Sequence, residues 1–266
     1  MTPNPYAPVG KCIYCDSPIY DEERPKQKLG DEHIVALSLG GTMILPEASC
    51  AKCEKIINKV ETNLTRGMFL PARTQLLYPT RNKKQRPKHL PLDIDSGGGL
   101  LTKQIPIEDY PGMLVVLCFN PPLALLNITP TDTPLTGRVA VATLPNFGDN
   151  LNKHPRRTVT WKMGGDAPTY GRMLAKIAHA YTVAEVGYGR FKPVLLDIIL
   201  NQPPLYMTHY VGGEIGDPPP ASMERIEISH TIEDLYDGRK LVLVKIRLFA
   251  DRQGMPTYLV VSGEIF

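Results

Sequence analysis

The sequence lacks long hydrophobic runs, and its N-terminus lacks the basic and apolar regions of a signal peptide. No apolar run approaches the ~18 residues of a membrane-spanning helix. The longest runs, residues 113–119 and 194–200, are far shorter, and the second contains Asp197. These absences predict a cytoplasmic protein that does not bind a membrane.

The sequence also lacks a strong charge of either sign and several enzyme signatures. The sequence has 30 basic and 27 acidic residues, which gives a net charge of +3. No G-x-S-x-G elbow, P-loop or dinucleotide-binding fingerprint is present. The apolar fraction of 42% excludes wholesale disorder, and 26 prolines, close to twice the usual frequency, predict many loops. A length of 266 residues fits one large domain or two ordinary ones.

Five cysteines are too few for a disulfide scaffold and odd in number for a secreted protein. Four of them form two C-x-x-C pairs, Cys12 with Cys15 and Cys50 with Cys53. A two-residue spacer lets two thiolates converge on one metal ion. Four thiolates favour a closed, structural zinc site over a redox dithiol or four unrelated buried cysteines. The remaining Cys118 lies in an apolar run and is predicted to be a buried core residue.

The pattern around the cysteine pairs predicts a small zinc-stapled unit. A knuckle at the first pair is followed by a strand over 32–39, a Gly-Gly turn and a returning strand over 43–45. A helix from about 51 to 65 then carries apolar residues at helical spacing. This is the plan of a treble-clef zinc finger, in which the metal ties knuckle to helix because so small a unit buries little core of its own.

Beyond residue 105, strands are followed by helices and then by strands again, which predicts an α+β domain around a mostly antiparallel sheet. Strands are predicted over 113–119, 138–143, 158–163, 227–230, 240–248 and 257–261, and helices over 170–186 and 192–200. The predicted organisation is a zinc-stapled domain over 1–66, a basic Pro/Gly-rich linker or arm over 67–104, and an α+β domain of unassigned role over 105–266.

The motifs of the first unit resemble a known family. D-E-H-I at residues 31–34, L-G-G at 39–41 and L-P-E-A-S-C-x-x-C at 45–53 stand in order after the first C-x-x-C pair. In this order they resemble the HNH endonucleases, in the branch with a zinc knuckle, over roughly residues 12–66. The resemblance implies a ββα-metal nuclease core built on a treble clef, with duplex DNA as the usual substrate.

The residue types suit this chemistry. Phosphodiester cleavage needs a base that activates water and a cation that neutralises charge at the phosphate. His33 is the candidate general base because an imidazole titrates near neutral pH. By the resemblance, Glu32 is a ligand of one Mg²⁺ or Mn²⁺ ion. The family's third position follows the last cysteine and is Glu54 here, while helical spacing offers Asn58 and Glu61 as alternatives.

A basic segment follows the predicted helix. Residues 62–92 hold seven basic side chains and no acidic one. On composition alone the segment fits a solvated linker, but beside a nuclease core it is predicted to contact phosphates. The predicted nucleic-acid contacts are Arg66, Arg73, Arg81, Lys83, Lys84 and Arg86.

Two departures from the family pattern keep other functions open. Ala36 and Leu37 stand where the family commonly has a proline, and the asparagine that names the motif has no counterpart among residues 45–48. One alternative is therefore a catalytically inactive zinc-binding module that interacts with nucleic acid or protein. Another places the main function in residues 105–266.

Overall fold

The computed structural model describes residues 6–80, 82–95, 99–154, 158–161 and 164–266. Within these residues the protein mixes helices with antiparallel sheets, as the predicted α+β class requires. The strands are β1 (Gly30–His33), β2 (Ile44–Ser49), β3 (His89–Asp95), β4 (Leu100–Pro106), β5 (Met113–Cys118), β6 (Arg138–Thr143), β7 (Thr158–Thr160), β8 (Phe191–Pro193), β9 (Val211–Gly213), β10 (Ile226–Asp234), β11 (Lys240–Leu248) and β12 (Tyr258–Ile265). The helices are α1 (Ala51–Arg66), α2 (Leu70–Gln75), α3 (Phe147–Asn152), α4 (Ala167–Glu185), α5 (Leu196–Leu200) and α6 (Met207–Tyr210).

The predicted hairpin forms, but its first strand is short. β1 pairs with β2 in antiparallel register, with His33 opposite Ile44. The chain then leaves the strand and makes a 3₁₀ turn over Leu37–Leu39, so the predicted strand over 32–39 ends at His33. Gly40 closes this turn with a φ of 91°, a left-handed conformation that favours glycine. The early end of β1 leaves His33 at the rim of the sheet.

Helix α1 matches its predicted bounds to within one residue. Its buried side chains Cys53, Ile57, Val60 and Leu64 recur at helical spacing and face the core. Cys50 occupies the N-cap position, so the second cysteine pair spans the first turn of the helix. The opposite face of α1 stays accessible and carries polar side chains.

Helix α4 is the central helix of the molecule. The side chain of Asp166 caps its start by accepting a hydrogen bond from the backbone N–H of Thr169 (2.6 Å). The helix packs against α1 and α5 and against the strands β11 and β12. Nearly every residue from Tyr170 to Val183 is buried, which includes the polar side chains of Lys176 and His179.

The described strand pairs are all antiparallel. The largest sheet has the order β10-β11-β12-β8, and β9 also pairs with β12. β4-β3-β7 form a second sheet, and β5-β6 form a separate pair. The predicted helix over 192–200 begins only at Leu196. Its predicted start lies in β8, which pairs with β12, and Lys192 precedes a proline, a position that disfavours helical backbone.

The segment predicted as a linker, residues 67–104, contains α2, β3 and most of β4. Its side chains Met68, Phe69, Ala72 and Tyr78 are buried in the same core cluster as the residues of α4. The division of the chain into three segments stays a prediction. None of the helices in the described residues has both the length and the apolar character needed to cross a bilayer.

Candidate functional site

The four cysteines of the two C-x-x-C pairs come together as predicted. The sulfur atoms of Cys12, Cys15, Cys50 and Cys53 all lie within 4.8 Å of one another, and Cys15 Sγ is 3.6 Å from Cys50 Sγ. Tetrahedral ligands with zinc–sulfur bonds of ~2.3 Å stand about 3.8 Å apart. The cluster could therefore hold a zinc ion.

Backbone hydrogen bonds fix the knuckle that carries the first pair. The N–H of Ile13 donates to the carbonyl oxygen of Ala48 on β2 (2.9 Å), and the N–H of Asp16 donates to that of Cys12 (2.9 Å). His179 of α4 donates from Nε2 to the carbonyl oxygen of Ile13 (2.7 Å), as an acceptor oxygen requires. The cysteine cluster is thus attached both to the hairpin and to the central helix.

A cleft of about 690 Å³ opens between the end of β1, the accessible face of α1 and residues from the stretches 70–80 and 82–87. It collects side chains from three separate stretches of the sequence. The predicted catalytic residues that line it are Glu32, His33, Glu54, Asn58 and Glu61. All five therefore share one cleft, and three of them lie on α1, whose first turn also holds the second cysteine pair.

Helix α1 presents its predicted side chains in a row. Glu54, Asn58 and Glu61 stand at helical spacing along the cleft wall. Tyr20, which sequence analysis missed, donates from its hydroxyl to Oε2 of Glu54 (2.9 Å), and this carboxylate raises the pKa of Tyr20. Glu54 is therefore held in position by a residue outside the motif.

Lys176 is a second residue that sequence analysis missed. Its Nζ lies 2.7 Å from Glu32 Oε1 and 2.9 Å from Glu61 Oε1, and it also donates to the carbonyl oxygens of His33 and Ile34. Lys176 is only 2% exposed. Burial alone lowers the pKa of an ammonium group, but the two carboxylates raise that of Lys176 above its ordinary value. Lys176 is therefore a charged cation at the back of the cleft.

The pKa of Glu32 is shifted upward by its burial, because a carboxylate loses hydration there, and the ammonium of Lys176 opposes this shift.

The sequence did contain a signal for Lys176. It stands three residues after Met173 on the buried face of a helix that is otherwise almost wholly apolar. A lysine at such a position needs a buried anionic partner.

Three of the six predicted nucleic-acid contacts reach the cleft. Arg66, Arg73 and Arg86 line it. Lys83 and Lys84 lie in an exposed 3₁₀ turn outside the lining residues, and the predicted contact Arg81 lies outside the described residues.

Arg73 is held most firmly of the three. Its guanidinium donates to the carbonyl oxygens of Ser38 (2.6 Å) and Thr65 (2.7 Å). Burial, followed by the positive charges of Arg66 and Arg86, lowers the pKa of Arg73. The positive charges of Arg66 and Arg86 therefore act on the guanidinium of Arg73 in the cleft.

The formal charges of the cleft cancel. The lining carboxylates of Asp31, Glu32, Glu54 and Glu61 face the guanidinium groups of Arg66, Arg73 and Arg86. The ammonium of Lys176 behind them supplies the fourth positive charge. One divalent cation would leave the cleft net positive, which is the sign that a phosphodiester requires.

Comparison with known proteins adds no relative. No protein-family model, curated protein or solved structure matches the chain. The similarity to HNH endonucleases therefore stands on the sequence motifs alone, and the geometry described above is independent of it.

Proposed function

We propose that this protein is a metal-dependent HNH-type endonuclease that hydrolyses phosphodiester bonds in duplex DNA. The observation that carries the proposal is the meeting of His33, four carboxylates and three arginines in one cleft. These groups come from a strand end, a helix and the basic segment, and together they offer a base, oxygen ligands and phosphate contacts. The cysteine cluster, which joins the knuckle to the start of the same helix, serves as a structural zinc site within a treble clef.

In the proposed mechanism each side chain has one role. His33 takes the proton of the attacking water. Glu32, with Glu54 or Asn58, offers the oxygen donors that Mg²⁺ or Mn²⁺ prefers. When bound, this cation supplies neutralisation of charge at the scissile phosphate. Arg66, Arg73 and Arg86 hold the DNA backbone without regard to sequence.

The direct test is plasmid nicking by the zinc-loaded chain with Mg²⁺ or Mn²⁺. We expect His33→Ala to lower the nicking rate by about 10²–10⁴-fold, the usual contribution of a general base. His230→Ala is the matched control, because His230 lies on β10 against Tyr181 and outside the cleft lining. Nicking by His33→Ala at the wild-type rate would remove His33 from this role.

One observation favours the alternative of an inactive zinc-binding module. Glu32 and Glu61, two candidate active-site carboxylates, already share the ammonium of Lys176. A module of this kind binds zinc and shows salt-sensitive DNA binding. It gives no divalent-dependent nicking, and its DNA affinity is the same in wild type and His33→Ala. The nicking assay and a DNA-binding titration at two salt concentrations separate the two functions.

A further inference from the structure

We propose that the ammonium of Lys176 occupies a cation-binding cage of four oxygens at the back of the candidate active site, where it takes the place of a divalent cation. The proposal rests on the proposed function only for the role of the cleft. The cage itself is defined by contacts of described residues, and it can be tested without any measurement of cleavage.

The cage is built from two elements of the first predicted domain. Glu32 Oε1 and Glu61 Oε1 approach Lys176 Nζ to 2.7 and 2.9 Å, and the carbonyl oxygen of Ile34 lies at 3.3 Å. The carbonyl oxygen of His33 accepts a fourth hydrogen bond. Carboxylate and carbonyl oxygens are the donors that hard cations select in proteins. Four such oxygens therefore converge on the point where Nζ lies.

The charges of the cage also fit a cation-binding site. Lys176 and Glu32 are 2% and 5% exposed, so their charges are tolerated only as part of a closely paired group. One ammonium faces two carboxylates, and the cage keeps one formal negative charge. Without the ammonium the cage carries two negative charges, which match one divalent cation.

Lys176 is thereby a positioning residue of the candidate site. It fixes the carboxylate of Glu32 and the carbonyl of His33, which is the residue proposed to activate water. Since Lys176 lies on α4, a helix of the predicted α+β domain completes the site of the predicted nuclease domain. This gives residues 105–266 a defined task in the cleft.

Substitution of Lys176 by alanine tests the cage. Alanine removes the side chain beyond Cβ, so a cation at the position of Nζ meets no atom of residue 176. In the zinc-loaded full chain, calorimetry or electron paramagnetic resonance should count one more Mn²⁺ per chain in Lys176→Ala than in wild type. Mn²⁺ should also raise the unfolding temperature of Lys176→Ala more than that of wild type.

Two further variants serve as controls. Lys245→Ala breaks an exposed pair with Glu214 (2.9 Å) away from the cleft and should leave the Mn²⁺ count unchanged. The double variant Lys176→Ala with Glu61→Gln keeps only one carboxylate in the cage and should not bind the additional Mn²⁺. A double variant that still binds it would place that ion elsewhere and overturn the proposal.

Each outcome for Lys176→Ala either supports the proposal or overturns it. A folded variant with the wild-type Mn²⁺ count shows that Lys176 only supports packing. If the variant is unfolded without divalent cation, Mn²⁺ should restore its circular dichroism spectrum, and failure to refold overturns the proposal. Failure of the nuclease proposal is separate, because it shows as absence of nicking by wild type, whatever number of Mn²⁺ ions the variants bind.

Discussion

Gly41, in the turn that follows His33, stands where no side chain fits. A Cβ atom at this position would lie 2.0 Å from the carbonyl oxygen of Val35. At the neighbouring Gly40, by contrast, space is available but the backbone conformation is restrictive. It has a φ of 91°, and a Cβ there would meet only Arg225 Cδ, at an ordinary contact distance of 3.8 Å. The two glycines of the L-G-G motif are therefore required for different reasons, one for space and one for backbone conformation.

These two reasons predict different losses of stability. Gly41→Ala should lower the free energy of unfolding by about 3 kcal/mol, since backbone atoms must shift to admit the methyl group. Gly40→Ala should cost only about 1 kcal/mol, the penalty of left-handed backbone for alanine. Urea unfolding of both variants measures the difference. Equal losses would show that space at Gly41 is not the limiting factor.

At the residue scale, the sequence predicts those site residues that lie in short local motifs. His33, Glu32 and Glu54 follow from short motifs, and the structure places them in one cleft. Lys176 is separated from Glu32 by more than a hundred residues, and no local spacing links the two. Such a partner follows only from the packing of α4 on the hairpin.

At the scale of a single element, one face of helix α4 contacts both the back of the cleft and the knuckle. Lys176 and His179 are three residues apart and therefore lie on the same face. The first reaches the back of the cleft, and the second binds the carbonyl oxygen of Ile13 in the knuckle. Helix α4 begins at Ala167, three residues before its predicted start. The end of α4 and both bounds of α1 could be predicted from apolar periodicity to within one residue. The early end of β1 could not, because consecutive buried residues after His33 resemble a buried strand.

The knuckle is the element whose order should depend on metal. Cys15 is the one exposed member of the cluster, so Cys15→Ser removes a ligand with little loss of packing. We expect this variant to hold less zinc and to lose hydrogen-exchange protection at residues 12–17, while β10, β11 and β12 keep theirs. Mass spectrometry measures both quantities.

Cys118→Ser is the control for the knuckle, because Cys118 lies on β5 outside the cluster. It should keep the wild-type zinc content. Equal zinc content in Cys15→Ser and wild type would contradict a four-cysteine site.

At the scale of the whole molecule, one core joins the predicted segments. A single cluster of buried side chains extends from Cys12 in the knuckle through Phe69 and Ile177 to Val260 on β12. The pattern of predicted strands and helices changes near residue 105, and this change predicts a domain boundary there. The sequence could not indicate that apolar faces on both sides of that boundary pack on each other, because periodicity identifies a buried face without identifying its partner.

This shared core leads to a prediction about the fragment of residues 1–104. A treble clef that is held by its metal alone should fold once zinc is added. The fragment lacks α4, however, so the packing partner of α1, the ammonium between Glu32 and Glu61 and the hydrogen bond of His179 are all missing. We therefore expect zinc-loaded 1–104 to bind a hydrophobic dye and to lack a cooperative unfolding transition, in contrast to the zinc-loaded full chain. A sharp thermal transition in the fragment would show instead that the metal suffices and that α4 only rests against a domain already formed.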